Sequence, residues 1–220
     1  MKNNWKSETE LATEIIKYLK SKNWTIYPEL NNIDIIATKE DLNSKNNLKI
    51  IGIECKKHFN LNVLSQADGR RNYVDNIYIA VSNGRKNNEM FGLKIAKMLN
   101  IGVFFANKNS YFEDQRVKEY FCPTLETRKY DLIDKLLHPK AENYAEAGQV
   151  GGKQWTTFRK TVNELVEYVK LNEGKDLKEI LNNIKHHYKT SSSAKNSIKK
   201  MIEDKIIKEL KIIDGKIYLN

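Results

Sequence analysis

The feature that most constrains the fold of this chain is a run of short apolar segments, rich in isoleucine and valine, that alternate with helical patterns. A helix is predicted over residues 8–21, where Leu11 and Ile15 lie on one apolar face and Ser7 and Glu10 form a capping box. In the first 106 residues, strands are predicted over residues 24–27, 33–38, 49–57, 76–82 and 101–106. Two further helices are predicted over residues 61–73 and 89–99. Strands separated by helices favour parallel pairing, whereas the closely spaced first strands favour an antiparallel hairpin. The sequence therefore predicts an α/β domain with a mixed sheet flanked by helices.

Composition changes near residue 150 and predicts two domains. Residues 147–153 contain three glycines and are predicted to be a linker, which would join a larger domain over residues 1–146 to a smaller one over residues 154–220. The formal net charge is +10, and +6 of it falls within residues 150–220. This excess favours a polyanionic partner. An AT-rich genome, which raises the lysine content, is the alternative explanation.

The pattern after the predicted linker indicates a small helical domain that ends in a hairpin. Three helices are predicted, and they begin near Thr156, Asp176 and Ser191. Asp214 and Gly215 form a strong type I′ turn signal between two strands. Three helices followed by a β-hairpin is the layout of a winged helix, so we expect a winged-helix-like DNA-binding domain.

Three ionisable residues interrupt two of the apolar strands and form the candidate chemical site. Asp34 lies inside the second predicted strand, and Glu54 and Lys56 flank Cys55 at the end of the third. Because strand side chains alternate, Glu54 and Lys56 share one face, and their burial requires a compensating ion or charge pair. Magnesium ligated by Asp34, Glu54 and the backbone carbonyl of Cys55 would meet this requirement, and Lys56 could then activate a water molecule. A salt bridge between Asp34 and Lys56 is the alternative.

The order of these residues resembles that of the PD-(D/E)XK nucleases, which have the restriction-endonuclease-like fold. The resemblance covers about residues 7–106, and it rests on an acidic residue of the first helix, a strand aspartate, a strand Glu-x-Lys triplet and a Gln-Ala step on the next helix. These elements are here Glu10, with Glu8 and Glu14 as competitors, then Asp34, Glu54, Lys56, Gln66 and Ala67. Two departures are Ile33, where the family name has proline, and Arg70, where some relatives carry tyrosine.

The resemblance implies a Mg²⁺-dependent endonuclease, with Mn²⁺ as a possible substitute, that cleaves DNA, most readily double-stranded DNA. The implied catalytic residues are Asp34, Glu54, Lys56, Glu10 and Gln66, and the implied metal ligands are Asp34, Glu54 and Cys55. The expected nucleic-acid contacts are Arg70, Arg71, Lys195, Asn196, Lys199, Lys200 and Lys216. A non-catalytic DNA-binding or assembly protein that retains the fold, and an RNA-directed nuclease, remain open. A homodimer or a partner protein would suit two cuts on one duplex.

Composition also argues against several other classes of protein. No stretch reaches the ~18 apolar residues that a membrane span needs, and residues 1–5 carry no apolar signal region. Cys55 and Cys122 lie far apart and form no paired motif, so we expect neither a disulfide framework nor a zinc cluster. The expectation is a soluble cytoplasmic protein.

Overall fold

The computed structural model describes residues 5–82, 87–112, 115–143, 145–148 and 155–220, and it divides the chain into two units. The first unit is Met1–Trp155 and the second is Thr156–Asn220. Most of the predicted linker, namely residues 149–153, lies outside the described residues. Gly148, at its start, belongs to the first unit, where its amide donates to Oε1 of Glu29 at 2.8 Å.

Six strands form one mixed sheet in the first unit, where the sequence predicts a mixed sheet with five of these strands. In spatial order, which is also their order along the chain, they are β1 (Thr25–Leu30), β2 (Ile33–Glu40), β3 (Leu48–Lys56), β4 (Asn76–Ser82), β5 (Gly102–Ala106) and β6 (Val117–Phe121). Strands β3, β4 and β5 are parallel to one another, and β1, β2 and β6 pair antiparallel to their neighbours. The carboxyl ends of β3, β4 and β5 therefore meet at one edge of the sheet.

Helices cover both faces of this sheet and create two apolar cores. They are α1 (Glu8–Ser21), α2 (Leu61–Arg70), α3 (Asn87–Met98) and α4 (Leu132–Leu136). Helix α1 packs on the face that carries Ile53 and Cys55. The other three pack on the face that carries Ile36 and Ile79. None of the described helices is long and apolar enough to cross a membrane.

Several boundaries differ from the predicted ones for local reasons. Strand β1 continues through Pro28, which pairs with Ile35, because an edge strand can lack one amide donor. Helix α2 ends at Arg70, and a 3₁₀ turn over Arg71–Tyr73 completes the predicted helical segment. Strand β6 and helix α4 were not predicted, because their short segments carry little periodic apolar signal.

The second unit contains three helices, of 15, 7 and 13 residues, and a small antiparallel sheet. Its elements are α5 (Thr157–Leu171), β7 (Lys175–Asp176), α6 (Leu177–Asn183), α7 (Ser191–Glu203), β8 (Leu210–Ile213) and β9 (Lys216–Leu219), with sheet order β7-β9-β8. Thr156 and Asp176 cap α5 and α6 as predicted, whereas Thr190 rather than the following serines caps α7. Asp214 and Gly215 both have positive φ, as the predicted hairpin turn requires. The two-residue strand β7 was not predicted.

Candidate active site

Two carboxylates lie on adjacent strands near the edge where the parallel strands end. Strands β2 and β3 pair so that Ile35 lies opposite Ile53, and Asp34 and Glu54 are the next residues beyond this last pair. Both side chains therefore project from the face that α2 covers. Asp34 Oδ2 accepts the amide of Cys55 at 2.8 Å, so its carboxylate takes the place of a backbone partner at the end of the ladder.

Arg70 provides the nearest positive charge to Glu54. Asn60 caps the start of α2, and the helix then carries Arg70 in its last turn, where a cation is favoured by the helix dipole. Arg70 Nη1 donates to Glu54 Oε1, and the Glu54 side chain is only 2% exposed. Gln66 lies one helical turn earlier on the same helix face and is exposed.

Lys56 is held by an acidic residue at the start of α1, and that residue is Glu8. Lys56 Nζ donates to Glu8 Oε2 at 2.6 Å, and both side chains are largely buried. Glu10 instead accepts from Lys108 Nζ at 2.6 Å and from the amide of Lys6 at 2.7 Å. The structure therefore brings Glu8, and not Glu10, to the Glu-x-Lys strand. The capping box favours Glu10 in the sequence, but Glu8 lies in the same first turn of α1.

Both carboxyl groups have raised pKa values. Burial, and after it the charge of Asp34, raise the pKa of Glu54 to about 7 against the opposing effect of Arg70. Burial also raises the pKa of Asp34, although the Cys55 amide and Lys56 oppose this effect. The pair can therefore hold a proton, or a cation in its place, close to neutral pH.

Lys56 remains a cation in this environment. Burial by itself lowers the pKa of the Lys56 ammonium, but the hydrogen bond that Lys56 donates to Glu8 and the surrounding carboxylates outweigh burial and raise the pKa. A lysine that serves as a proton acceptor needs a lowered pKa. Lys56 is therefore suited to orient a ligand and to stabilise negative charge, rather than to take a proton.

The oxygen atoms at this edge fit a hard cation. Magnesium binds through one or two carboxylates and keeps several waters, and Asp34 and Glu54 supply two carboxylates. The Cys55 side chain is fully buried on the α1 face, so only its backbone carbonyl is a candidate ligand. Across the described ranges, no group of three or more His, Cys, Asp and Glu side chains is arranged to hold a metal ion. A cation at this site would thus depend on water for most of its ligands.

The other residues predicted to contact nucleic acid lie elsewhere. Arg71 donates to the carbonyl of Leu99 and lies 3.4 Å from Asp68, so it contacts the connection before β5 rather than the carboxylates. In the second unit, the remaining candidates are exposed on α7 and β9, and α7 turns its apolar residues to the core on the opposite face. These exposed residues are Lys195, Asn196, Lys199, Lys200 and Lys216.

A buried ion-pair network that sequence reasoning missed lies in the first unit. The side chain of Arg128 is 0% exposed, pairs with Asp75 at 2.8 Å and also bonds Asp134. It further donates to the carbonyl of Leu48 at 3.2 Å, which ties the segment before α4 to the start of β3. No motif surrounds Arg128 in the sequence, so only its burial identifies it.

Comparison with known protein families, with curated proteins and with solved structures finds no match to this chain. Its function therefore has to be inferred from the carboxylate pair, the lysine beside the pair and the surfaces around them. These groups form a polar, partly buried cluster at the end of a mixed sheet. The cluster consists of two carboxyl groups (Asp34 and Glu54), two cationic side chains (Lys56 and Arg70) and Glu8, which holds Lys56.

Proposed function

We propose that this chain is a metal-dependent endonuclease that hydrolyses phosphodiester bonds in DNA. The observation that carries the proposal is that Asp34 and Glu54 lie side by side just beyond the last pair of β2 and β3, with Lys56 two residues further along the face of β3 that carries Glu54. In this proposal the first unit is a restriction-endonuclease-like domain, and the second is a winged-helix-like domain that holds the duplex. The sheet order and the helices on both faces of the sheet are consistent with such a domain.

Each group has a separate part in the proposed reaction. Asp34, Glu54 and the carbonyl of Cys55 would hold Mg²⁺, or Mn²⁺, which supplies Lewis acidity toward a phosphate oxygen when bound. The Lys56 ammonium, fixed by Glu8, would orient the attacking water and stabilise the negative charge that develops on the phosphate. Arg70 would exchange its bond with Glu54 for a contact with a phosphate oxygen.

The second unit would supply most of the affinity for DNA. The exposed lysines of α7 suit phosphate contacts, which depend on salt and not on base sequence. Asn196 is suited to contact a base edge in the major groove. Lys216, at the start of the last strand of the hairpin, would contact a phosphate of the DNA backbone. This unit would therefore hold the duplex while the first unit cleaves it.

A plasmid-nicking assay tests the proposal together with its residue assignment. Supercoiled plasmid is incubated with Mg²⁺, Mn²⁺ or EDTA, and we expect cleavage only with metal. Glu54→Gln and Lys56→Ala should abolish cleavage, and Glu8→Gln should lower it at least tenfold. Glu10→Gln is the matched control in the same helical turn, and it should stay within about twofold of wild type. Cleavage by purified Lys56→Ala, or cleavage in EDTA, would contradict the proposal.

A second candidate function is a non-catalytic DNA-binding or assembly protein. The observation that favours it is that Arg70 already pairs with Glu54 and Glu8 with Lys56, so two charges of the site have partners within the chain itself. Thermal unfolding with and without Mg²⁺ separates the two candidates. Stabilisation by Mg²⁺ that disappears in Asp34→Ala supports the nuclease, and no stabilisation supports the second candidate.

A further inference from the structure

Three aromatic side chains are exposed along the last strand of the large sheet and the loop before it. Tyr111 is 92% exposed, Phe112 is 55% exposed and Tyr120 is 42% exposed. Tyr111 and Phe112 contact each other edge to face, with ring centroids 5.2 Å apart. Grouped exposed aromatics usually mark a surface that binds something.

Basic side chains lie beside one of these rings, Tyr120. Lys97 Nζ lies 5.4 Å from the ring centroid of Tyr120. Lys118 is exposed and lies opposite Phe105, and the ring of Tyr120 contacts that of Phe105 with centroids 5.4 Å apart. Glu119 instead accepts a hydrogen bond from Tyr78 on the other face of the sheet. We give the name β6 stripe to five exposed residues of the loop before β6, of β6 and of α3, which are Tyr111, Phe112, Lys118, Tyr120 and Lys97. Its face of β6 thus carries aromatic and positive groups without a carboxylate.

The stripe begins at the same edge of the sheet as the candidate active site. Strand β5 is parallel to β4 and β4 to β3, so the loop after β5 leaves from the edge where Lys56 lies. Lys108, in that loop, pairs with Glu10 at 2.6 Å. Glu8, in the same turn of α1, pairs with Lys56. One helical turn therefore connects the loop that carries Tyr111 to the lysine of the site.

We propose that the β6 stripe binds single-stranded nucleic acid. Exposed rings bind unpaired bases by stacking, and neighbouring lysines bind the phosphates between them, which is how proteins hold single strands without reading their sequence. A duplex keeps its bases stacked on each other and presents only phosphates to such a surface. The inference rests on the proposed nuclease function, and it specifies the substrate as DNA with an unpaired stretch next to the cleaved phosphate.

Fluorescence anisotropy of the full chain in EDTA tests the stripe without cleavage. The probes are a fluorescein-labelled oligothymidylate and a labelled hairpin duplex. Replacing both rings in Tyr111→Ala/Phe112→Ala should weaken binding of the oligothymidylate at least tenfold, since stacking on one ring contributes at least about fivefold. Binding of the hairpin duplex should stay within twofold. Leu42→Ala, an equally exposed apolar residue in the β2–β3 connection, should change neither.

The contribution of Lys97 and Lys118 is measured separately, through the salt dependence of oligothymidylate binding. For single strands, the slope of log affinity against log salt falls by about 0.7 for each phosphate contact that is lost. Lys97→Gln/Lys118→Gln should therefore reduce the slope for the oligothymidylate by about 1.4. An unchanged slope would overturn the assignment of these lysines to phosphates.

Three outcomes would contradict the proposal that the β6 stripe binds single-stranded nucleic acid, and none of them depends on nuclease activity. They are unchanged affinity of Tyr111→Ala/Phe112→Ala for the oligothymidylate, an equal loss on both probes, and conversion of a wild-type dimer to monomers by the same substitutions in size-exclusion chromatography. The last outcome would mean that the stripe joins two copies of the chain. If the stripe variants lose single-strand binding, and wild type cleaves neither plasmid nor a duplex with an unpaired stretch, the inference about the β6 stripe holds and the nuclease proposal fails.

Discussion

Glu54 is buried beside a second carboxyl group, so its ionisation opposes folding. Its pKa in the folded chain is about 7, against an ordinary value of 4.5, chiefly because burial removes the carboxylate from water. A buried carboxylate of this kind usually finds a partner, and here Arg70 compensates it only in part. The same residue is the one on which the proposed chemistry most depends.

This burial makes stability depend on pH in a defined direction. In the unfolded chain Glu54 ionises near pH 4.5, whereas in the folded chain it ionises only near pH 7, so stability present below pH 4.5 is lost as the pH rises to 7. The loss corresponds to about 3 kcal/mol. We expect wild type to lose stability relative to Glu54→Gln across this window, measured by urea unfolding at a series of pH values. Parallel curves for the two proteins would contradict the raised pKa.

Arg128 shows a different way to bury a charge. It is fully enclosed but paired with Asp75 and Asp134 and bonded to backbone carbonyls. Breaking such a pair by removing one partner typically costs about 3–5 kcal/mol, because the other charge stays buried. The Arg128 network is thus part of the scaffold, whereas the acids beside Lys56 are suited to chemistry.

At the scale of elements, the packing of β4 against β5 depends on a residue without a side chain. The ring of Tyr78 stacks on Phe104 with centroids 4.7 Å apart, and it also covers Gly102. A Cβ atom on Gly102 would lie 2.2 Å from the Tyr78 ring and 2.8 Å from Pro123. Space, and not backbone conformation, therefore requires glycine at this position.

Two glycine-to-alanine substitutions should have opposite effects on stability. Gly102→Ala should destabilise the protein by about 1–3 kcal/mol, because the new methyl group overpacks a filled core. Gly69→Ala, in α2, meets nothing within 4 Å and should stabilise by about 0.5–1 kcal/mol through the unfolded state. Urea unfolding of both variants checks this. A stabilised Gly102→Ala protein would show that Tyr78 can move aside.

At the scale of the whole molecule, the two units have separate apolar cores. The core of the second unit consists of residues from α5, α6, α7 and the adjacent strands, among them Leu165, Ile180, Ile198 and Ile217. No residue of the first unit belongs to that core as described. Independent cores are what distinguish two domains from one.

The second unit should therefore fold when it is produced alone. We expect a fragment covering Thr156–Asn220 to unfold in a single cooperative thermal transition, followed by circular dichroism. Leu165→Ala in the same fragment should lower its stability by about 2–5 kcal/mol, because Leu165 is fully buried. A fragment that melts without a transition would mean that the second unit needs the first to fold.

Local pattern determined most of the elements of this protein, and tertiary structure determined which side chains meet. Apolar periodicity predicts α1, β2, β3, β4 and the terminal hairpin, because each depends on residues close together in the chain. It also predicts Asp34, Glu54 and Lys56 as a cluster, since strand alternation and pairing follow from short-range geometry. The pairing of Lys56 with Glu8, of Glu54 with Arg70 and of Asp75 with Arg128 depends on segments that are distant in sequence. No local preference encodes such contacts, because they form only when packing of the cores brings those segments together.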